Sequence, residues 1–184
     1  MALTASIFKA DIEISDLRRH HYQPYQLTLA RHPSETDERM MLRLLSFALF
    51  ADPALQFTRG LSNDDEPDLW RHSLSGETEL WIELGQPSEK RLRRARSKAR
   101  HVVVVCYGGR RTAQWWQENQ GKLSQQSWLS VIEIPEDESR ALSALTQRSM
   151  QLQFTLDEDS VWVSSSSDSI AINPQWLHGE QRAQ

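Results

Sequence analysis

Residues 68–100 read DLWRHSLSGETELWIELGQPSEKRLRRARSKAR, and this stretch decides the fold. The first half alternates in polarity around Ser75-Gly76, which predicts a β-hairpin because glycine adopts the positive φ of a tight turn. The second half, residues 87–100, is predicted to form a strongly basic helix. Carboxylates beside concentrated positive charge are typical of a metal-dependent site that acts on a phosphate backbone.

The predicted turn sets which residues face each other across the hairpin. One face then carries Asp68, Trp70, His72, Glu79, Trp81 and Glu83. The predicted register opposes Asp68 to Glu83, Trp70 to Trp81 and His72 to Glu79. Directly opposed Cβ atoms lie roughly 4.5–5.5 Å apart. The carboxylates of Asp68 and Glu83 are predicted to hold one Mg²⁺, with Mn²⁺ as a substitute. A slip of one residue in the register would send the whole set to the other face.

Length and composition indicate an ordinary globular protein. The chain has 184 residues, 39% hydrophobic and 25% charged, which suffices for one well-buried domain. The N-terminus lacks the features of a signal peptide, and the apolar-rich run at 40–51 contains Arg43 and is too short to span a membrane. The single Cys106 excludes an internal disulfide. We therefore expect a soluble, cytoplasmic protein without a membrane partner.

Positive charge is concentrated in one segment of the chain. Seven of the 21 basic residues lie between Lys90 and Arg100, so the rest of the chain carries about −11 against −4 overall. Acidic side chains are dense just before the hairpin, at Asp64, Asp65 and Glu66. The basic run is either a solvated helix face or a surface for nucleic acid, and its position after the acidic hairpin leaves both interpretations open.

Strands and helices alternate along the chain. The predicted elements are strands 7–14 and 25–30, a helix capped by Ser34 and ending near Ala51, the hairpin, the basic helix, a strand at 101–107, a helix at 111–120, a strand at 129–134, a helix at 135–147, and strands 151–156, 160–163 and 169–172. The apolar run HVVVVCY predicts a central strand buried on both faces. This pattern favours a single α/β (α+β) domain over residues 1–184, with a mixed central sheet flanked by helices.

The first predicted helix brings two carboxylates into line with an apolar stripe. Leu42, Leu45 and Leu49 recur at helical spacing, and the same stripe extended backwards reaches Glu38 and then Glu35. A carboxylate that continues such a stripe emerges at the edge of the core or meets a partner. We interpret Glu35 as a cap or dipole partner and Glu38 as the candidate that points toward a site.

Four blocks of this sequence resemble the bacterial YaeQ family. They are LARHPSETDERMMLRLL at 29–45, DDEPDLW at 64–70, WIELGQP at 81–87, and the pair Trp115-Trp116. The order of helix, acidic hairpin, basic helix and central strand likewise resembles the core of PD-(D/E)XK nucleases, the restriction-endonuclease-like fold. The resemblance implies a nuclease-like core at about 34–147, with an N-terminal hairpin at 5–31 and C-terminal strands at 150–173 packed on it.

The resemblance to the nucleases also implies roles for single residues. Asp68 matches the first acidic position and Glu83 the second, both as metal ligands, and Glu38 matches the helix carboxylate often found beside that site. The motif expects a lysine two residues after the glutamate, where this chain has Gly85. A basic group on the following helix would then stabilise the phosphate charge. Arg91 and Arg94 are the candidates, with Lys98 one turn further on. Arginine is a poor general base because it does not deprotonate.

Four basic residues are predicted to contact nucleic acid. Arg91, Arg94 and Lys98 lie on one side of the basic helix. Arg110 follows a Gly-Gly pair at the start of a later helix, where main-chain amides favour an anion. A single Gly-Gly-Arg is a weak signal, and an exposed loop is the simpler explanation of it.

Two functions of different classes remain open. The first is a Mg²⁺-dependent phosphodiesterase or endonuclease acting on DNA. The second is a non-catalytic descendant of the same fold that binds nucleic acid or a protein partner, with a role linked to transcription, as the naming of the YaeQ family implies. Gly85 favours the second function, whereas the retained acids and the basic helix favour the first.

Overall fold

The structure is a computed structural model that describes residues 4–179, with only the main chain described at Ser62. Its helices are α1 (Asp37–Leu49), α2 (Glu89–Lys98), α3 (Arg110–Leu123) and α4 (Glu136–Ser143). Its strands are β1 (Ser6–Asp16), β2 (His21–Arg31), β3 (Leu55–Phe57), β4 (Leu69–His72), β5 (Thr78–Leu84), β6 (Ala99–Cys106), β7 (Leu129–Glu133), β8 (Ser149–Leu156), β9 (Val161–Ser164), β10 (Ser169–Ile172) and β11 (Gln175–His178). The strands form two mixed sheets, so the predicted α+β class is confirmed.

The described chain forms two compact units. The first contains residues 4–51 and 137–174, and the second contains residues 52–136 and 175–179. Helix α1 therefore belongs to the first unit, and the acidic hairpin and the basic helix belong to the second. The nuclease-like core at 34–147 stays a prediction.

The sheet of the first unit combines two N-terminal strands with three strands from residues 149–172. Its strand order is β10-β9-β8-β1-β2, with β1 antiparallel to β2 and parallel to β8. Alternate residues of β1 are buried, as expected for a strand with one face on a core. The strands predicted at 7–14 and 25–30 are confirmed, and both run further than predicted, to a short turn at 17–20.

Helix α1 begins later than the sequence predicts. Thr36, and not Ser34, is the N-cap, because the Thr36 hydroxyl accepts a hydrogen bond from the Arg39 amide at 3.1 Å. The Ser34 hydroxyl instead pairs with His32 Nδ1 at 2.6 Å. The prediction of Ser34 as the cap was wrong, since its side chain is bound to the residue two positions before it.

The apolar stripe of α1 is buried as predicted, with Leu42, Leu45 and Leu49 in the core. Arg43 is buried as well, and its guanidinium donates to both carboxylate oxygens of Glu35, at 3.0 and 2.6 Å. Glu35 lies before the helix begins, so it is an ion-paired core residue and not the predicted cap. Pairing and hydrogen bonding compensate the cost of burying these charges.

The sheet of the second unit has the order β11-β7-β6-β5-β4-β3, and β5, β6 and β7 run parallel. Strand β6 lies in the middle with Val102 to Cys106 buried, so the predicted central strand is confirmed. Leu92 and Ala95 of α2 pack with Trp81 of β5 in the hydrophobic cluster of this unit. This packing fixes the basic helix beside the acidic hairpin.

The hairpin of β4 and β5 has the predicted register at the end that carries Asp68 and Glu83. Trp70 pairs with Trp81, and Leu69 pairs with Ile82. The two indole rings meet edge to face, with centroids 6.4 Å apart. The interaction is a packed cross-strand contact of the usual aromatic geometry.

The register changes near the turn, where the prediction was wrong. A bulge makes His72 pair with Thr78, and not with Glu79 as predicted. The connection is a five-residue loop from Ser73 to Glu77 and not a two-residue turn. The Ser73 hydroxyl accepts a hydrogen bond from the Glu77 amide at 3.2 Å and so stabilises the wider loop.

Other element boundaries also differ from the predictions. Helix α2 ends at Lys98, and Ala99 already belongs to β6. Strand β11 was not predicted, and it pairs with β7 at the edge of the second sheet. Among residues 4–179, no helix has the length and apolar character needed to cross a bilayer.

Candidate functional site

The second unit brings the two predicted acids together. Asp68 directly precedes β4, and its amide donates to the Ile82 carbonyl at 3.0 Å, which continues the ladder to β5. The Asp68 side chain is buried, and its Oδ2 accepts a hydrogen bond from the Leu84 amide at 2.8 Å. Glu83, on β5, is close enough for the charge of Asp68 to act on its pKa. Proximity of the pair therefore follows from strand register, as the sequence predicted.

Both carboxylate oxygens of Glu83 have protein donors. Arg91 Nε donates to Oε1 at 2.9 Å, and Trp81 Nε1 donates to Oε2 at 2.8 Å. Burial raises the pKa of Glu83, Arg91 opposes that rise, the nearby charge of Asp68 adds to it, and the net effect is a raised pKa. The Glu83 side chain is 12% exposed, so Arg91 is the cation that compensates a largely buried carboxylate.

Arg91 also ties the loop before the hairpin to the basic helix. Its Nη2 donates to the Glu66 carbonyl at 2.5 Å, and its Nη1 donates to the Asp64 carbonyl. The guanidinium carbon lies 5.6 Å from the centroid of the Trp81 ring, within cation–π range. The side chain is 20% exposed. A planar group with several donors suits this role, which a lysine would not fill.

In this arrangement, protein donors bind the carboxylate oxygens that are predicted to hold Mg²⁺. Mg²⁺ is usually held by one or two carboxylates, with water completing its shell. Here N–H donors already engage Asp68 Oδ2 and both oxygens of Glu83. Residues 4–179 also contain no group of three or more His, Cys, Asp or Glu side chains placed to hold one metal. A Mg²⁺ at this pair would have to displace Arg91, and the predicted magnesium site stays a prediction.

The backbone explains why no lysine follows the second acid. Gly85 has a φ of +97°, a conformation that side chains other than glycine rarely adopt. Its amide donates to the Val105 carbonyl at 2.9 Å, which fixes that conformation at the end of β5. The next residue, Gln86, donates from Nε2 to the Tyr107 carbonyl and to Thr112 Oγ1, at 2.5 and 3.0 Å. Gln86 therefore joins β5 to α3.

The predicted nucleic-acid-binding residues of α2 face the loop of residues 63–66, here called the acidic loop. Arg94 is ion-paired with the Asp65 carboxylate, and Lys98 Nζ lies 3.8 Å from the same carboxylate. Lys90 and Arg93 are exposed on the same helix and have no acidic partner within residues 4–179. The helix thus offers both paired and unpaired positive charge.

Arg110 is exposed at the first position of α3. The preceding Gly109 has a φ of +55°, and a Cβ there would lie 2.6 Å from a carboxylate oxygen of Glu136. An anion of the chain itself therefore lies against the start of α3, where the sequence predicted that an anion is favoured.

Glu38 belongs to the first unit, whereas Asp68 and Glu83 belong to the second. Its Oε1 accepts a hydrogen bond from the hydroxyl of Ser139 at 2.7 Å. Ser139 is fully buried on α4, so Glu38 links α1 to α4. Its proposed part in a catalytic centre stays a prediction.

A family model, similar sequences and solved structures all match this chain to YaeQ proteins. A family model described as YaeQ protein matches residues 1–174. The chain is 44% identical to Uncharacterized protein YaeQ of Escherichia coli strain K12 over 173 residues, which is 94% of this chain and 96% of that protein.

The chain belongs to the YaeQ family.

Solved structures of the YaeQ family share this architecture over nearly the whole chain. The crystal structure of YaeQ protein from Xanthomonas axonopodis pv. citri is 45% identical, with a TM-score of 0.93 over 96% of this chain and 100% of that one. The YaeQ protein from Pseudomonas syringae is 32% identical, with a TM-score of 0.91 over 97% and 98% of the two chains.

Several contacts of this YaeQ-family site were not predicted from the sequence. The indole of Trp81 donates to Glu83, and the two-residue spacing on one strand was the available signal. The hydrogen bonds from Arg91 to main-chain carbonyls of the acidic loop could not be predicted from residue types, because every residue has a carbonyl. The proximity of Glu136 to Gly109 could not be predicted either, because it depends on how the chain folds.

Proposed function

We propose that this YaeQ-family protein binds the phosphate backbone of nucleic acid through α2 and does not cleave it. The observation that carries the proposal is the position of Arg91, which supplies the positive charge at the acidic pair from the basic helix itself. A nuclease of the PD-(D/E)XK kind would hold a metal there. The helix keeps its surface for phosphates, and the pair serves to anchor the helix.

Descent from a nuclease-like fold is part of this proposal. In its support, the hairpin with two acids precedes a basic helix, which leads into a buried central strand parallel to β5. The loss of a lysine at Gly85 is consistent with lost catalysis, since the backbone conformation there disfavours any side chain. The acids then remain because Glu83 fixes Arg91.

The exposed cations of α2 are the expected contacts with phosphates. Lys90 lies three residues before Arg93 and four before Arg94, so its side chain neighbours both arginines on the helix surface. Contacts of this kind position a protein on the backbone without reading sequence, and their strength falls steeply with salt. The rest of the chain is acidic, which restricts the approach of a polyanion to this helix.

Fluorescence anisotropy with labelled single-stranded and duplex DNA tests the proposal. We expect the wild type to bind at low salt and Arg93→Glu to weaken binding by about three- to tenfold, because one phosphate contact becomes repulsive. Lys9→Glu is the matched control, since it reverses the charge of an exposed lysine on β1 in the first unit. Equal losses in both variants would contradict a specific role of α2. No binding by the wild type at low salt would point to a protein partner instead.

A Mg²⁺-dependent phosphodiesterase is the second candidate function. It is favoured by the juxtaposition of Asp68 and Glu83, whose like charges a divalent cation would relieve. In this case Arg91 would leave Glu83 when the metal binds. Cleavage of DNA in the presence of Mg²⁺, lost in Glu83→Gln, would favour this candidate over binding alone.

A further inference from the structure

The acidic loop places a carboxylate on the basic helix in the position that a ligand anion would take. Asp65 is ion-paired with Arg94, and Lys98 Nζ lies 3.8 Å from its carboxylate and 3.3 Å from its main-chain carbonyl oxygen. Arg94 and Lys98 are four residues apart, so they lie on one face of α2. Two cations that share one anion form the arrangement in which proteins bind a phosphate group.

We propose that Arg94 and Lys98 form a phosphate-binding subsite that the Asp65 carboxylate occupies in the free protein and that a nucleic-acid phosphate takes over on binding. This inference rests on the proposed function and names the residues and the internal competitor of that same surface. The ligand group is a phosphodiester of the backbone. Its oxygens accept hydrogen bonds from the same donors and carry the same charge as the carboxylate.

Exposure of the three side chains makes the exchange feasible. The side chains of Arg94, Lys98 and Asp65 are 46%, 41% and 60% exposed. Ion pairs this exposed contribute little to stability, because water and salt screen them. A polyanion therefore displaces the carboxylate at small cost, whereas the more buried pair of Arg91 and Glu83 stays in place.

The main chain of the acidic loop does not need to move far for this exchange. Arg91 donates to the carbonyls of Asp64 and Glu66, on either side of Asp65. The Asp65 amide is bound to Asn63 Oδ1 at 2.9 Å, which also holds the loop in shape. Rotation of the Asp65 side chain alone removes its carboxylate from Arg94 and Lys98, with the loop still anchored and Lys98 Nζ still bound to the Asp65 carbonyl.

Asp64 provides a control that separates the contact from the general effect of charge. Its carboxylate has no ion pair with α2 within the described residues, although it is the neighbour of Asp65 in the same loop. Asp64→Asn and Asp65→Asn change the net charge equally and at nearly the same place. Both residues are exposed, so we expect both variants to fold.

The experiment measures the affinity of each variant for a labelled DNA strand at low salt by fluorescence anisotropy. We expect Asp65→Asn to bind about three- to tenfold more tightly than the wild type and Asp64→Asn to differ by less than about twofold. In the background of Arg94→Gln with Lys98→Gln, the gain from Asp65→Asn should vanish, since the competitor then has no subsite to occupy.

Each other outcome overturns a defined part of the argument. Equal affinities of Asp65→Asn and Asp64→Asn, with binding by the wild type, would overturn the subsite and leave the proposed function standing. A gain from Asp65→Asn that persists without Arg94 and Lys98 would do the same. Absence of binding by the wild type and both loop variants would overturn the proposed function and, with it, this inference.

Discussion

Glu83 is a carboxylate whose charge the fold keeps only with help from a neighbour. Its burial favours the neutral acid and the charge of Asp68 acts in the same direction, while Arg91 favours the carboxylate, and the resulting pKa is raised. A group with a raised pKa in the folded state stabilises the protein below its unfolded-state pKa. That contribution is lost as the pH rises through the folded-state pKa. The interaction with Arg91 therefore matters most at neutral and higher pH.

Replacement of Arg91 by methionine tests this account, because methionine keeps much of the side-chain volume and removes the charge. We expect Arg91→Met to lower the free energy of unfolding by about 2–4 kcal/mol at neutral pH, since a largely buried carboxylate loses its cation. The deficit should shrink as the pH falls through the raised pKa of Glu83, because the protonated acid needs no cation. Urea unfolding at several pH values measures it.

The variant that combines Arg91→Met with Glu83→Gln is the control for this prediction. A neutral amide needs no cation, so the double variant should be more stable at neutral pH than Arg91→Met alone. A deficit that is the same at every pH, or that Glu83→Gln does not reduce, would mean that Arg91 acts through packing on Trp81 and not through the charge of Glu83.

Single residues show where sequence reasoning succeeds and where it stops. The proximity of Asp68 and Glu83 followed from strand alternation and a register defined by the chain itself. The partner of Glu83 did not follow, because Arg91 reaches it from another element, and that reach depends on how α2 packs. From the sequence alone, a long basic side chain on a predicted helix is equally consistent with a phosphate contact and with an internal ion pair.

At the scale of elements, periodic patterns predicted most strands and helices, and local side-chain bonds decided their ends. The run of apolar residues in β6 and the stripe of α1 are both buried as predicted. The predictions of the hairpin turn and of the start of α1 were wrong, because the hydroxyls of Ser73 and Ser34 form hydrogen bonds with nearby groups. Several hydroxyl residues compete for these positions, and the sequence does not rank them.

The start of α1 supplies a prediction at this scale. Thr36→Ala should lower the free energy of unfolding by about 1 kcal/mol, because the Arg39 amide loses its capping acceptor. Ser34→Ala is the matched variant and should cost less, since Ser34 lies outside the helix. Urea unfolding of both variants measures the difference, and a larger cost for Ser34→Ala would restore the cap that the sequence predicts.

For the whole molecule, the distribution of charge says more about where a charged ligand can bind than the net charge does. The sequence placed seven basic residues between Lys90 and Arg100, against a net charge of −4. The structure pairs four of these seven with acids of the second unit: Arg91, Arg94, Lys98 and Arg100. The acids come from segments before the helix, which the sequence could not align with it. Much of the basic character is therefore balanced internally, and the surface open to a ligand is smaller than the composition indicates.

A titration with Mg²⁺ that follows global thermal unfolding tests whether any part of the protein holds the metal. A ligand that binds the folded state raises the midpoint of unfolding, and the stabilisation grows with the logarithm of one plus the ratio of the free ligand concentration to Kd. We expect millimolar Mg²⁺ to leave the wild type unchanged beyond the effect of an equal ionic strength, because Arg91 already compensates Glu83. In Arg91→Met the acidic pair loses that cation, so Mg²⁺ should raise its midpoint, and the further change Glu83→Gln should abolish the shift. A Mg²⁺-specific shift in the wild type that is lost in Asp68→Asn would instead establish the metal site predicted from the sequence and favour the phosphodiesterase.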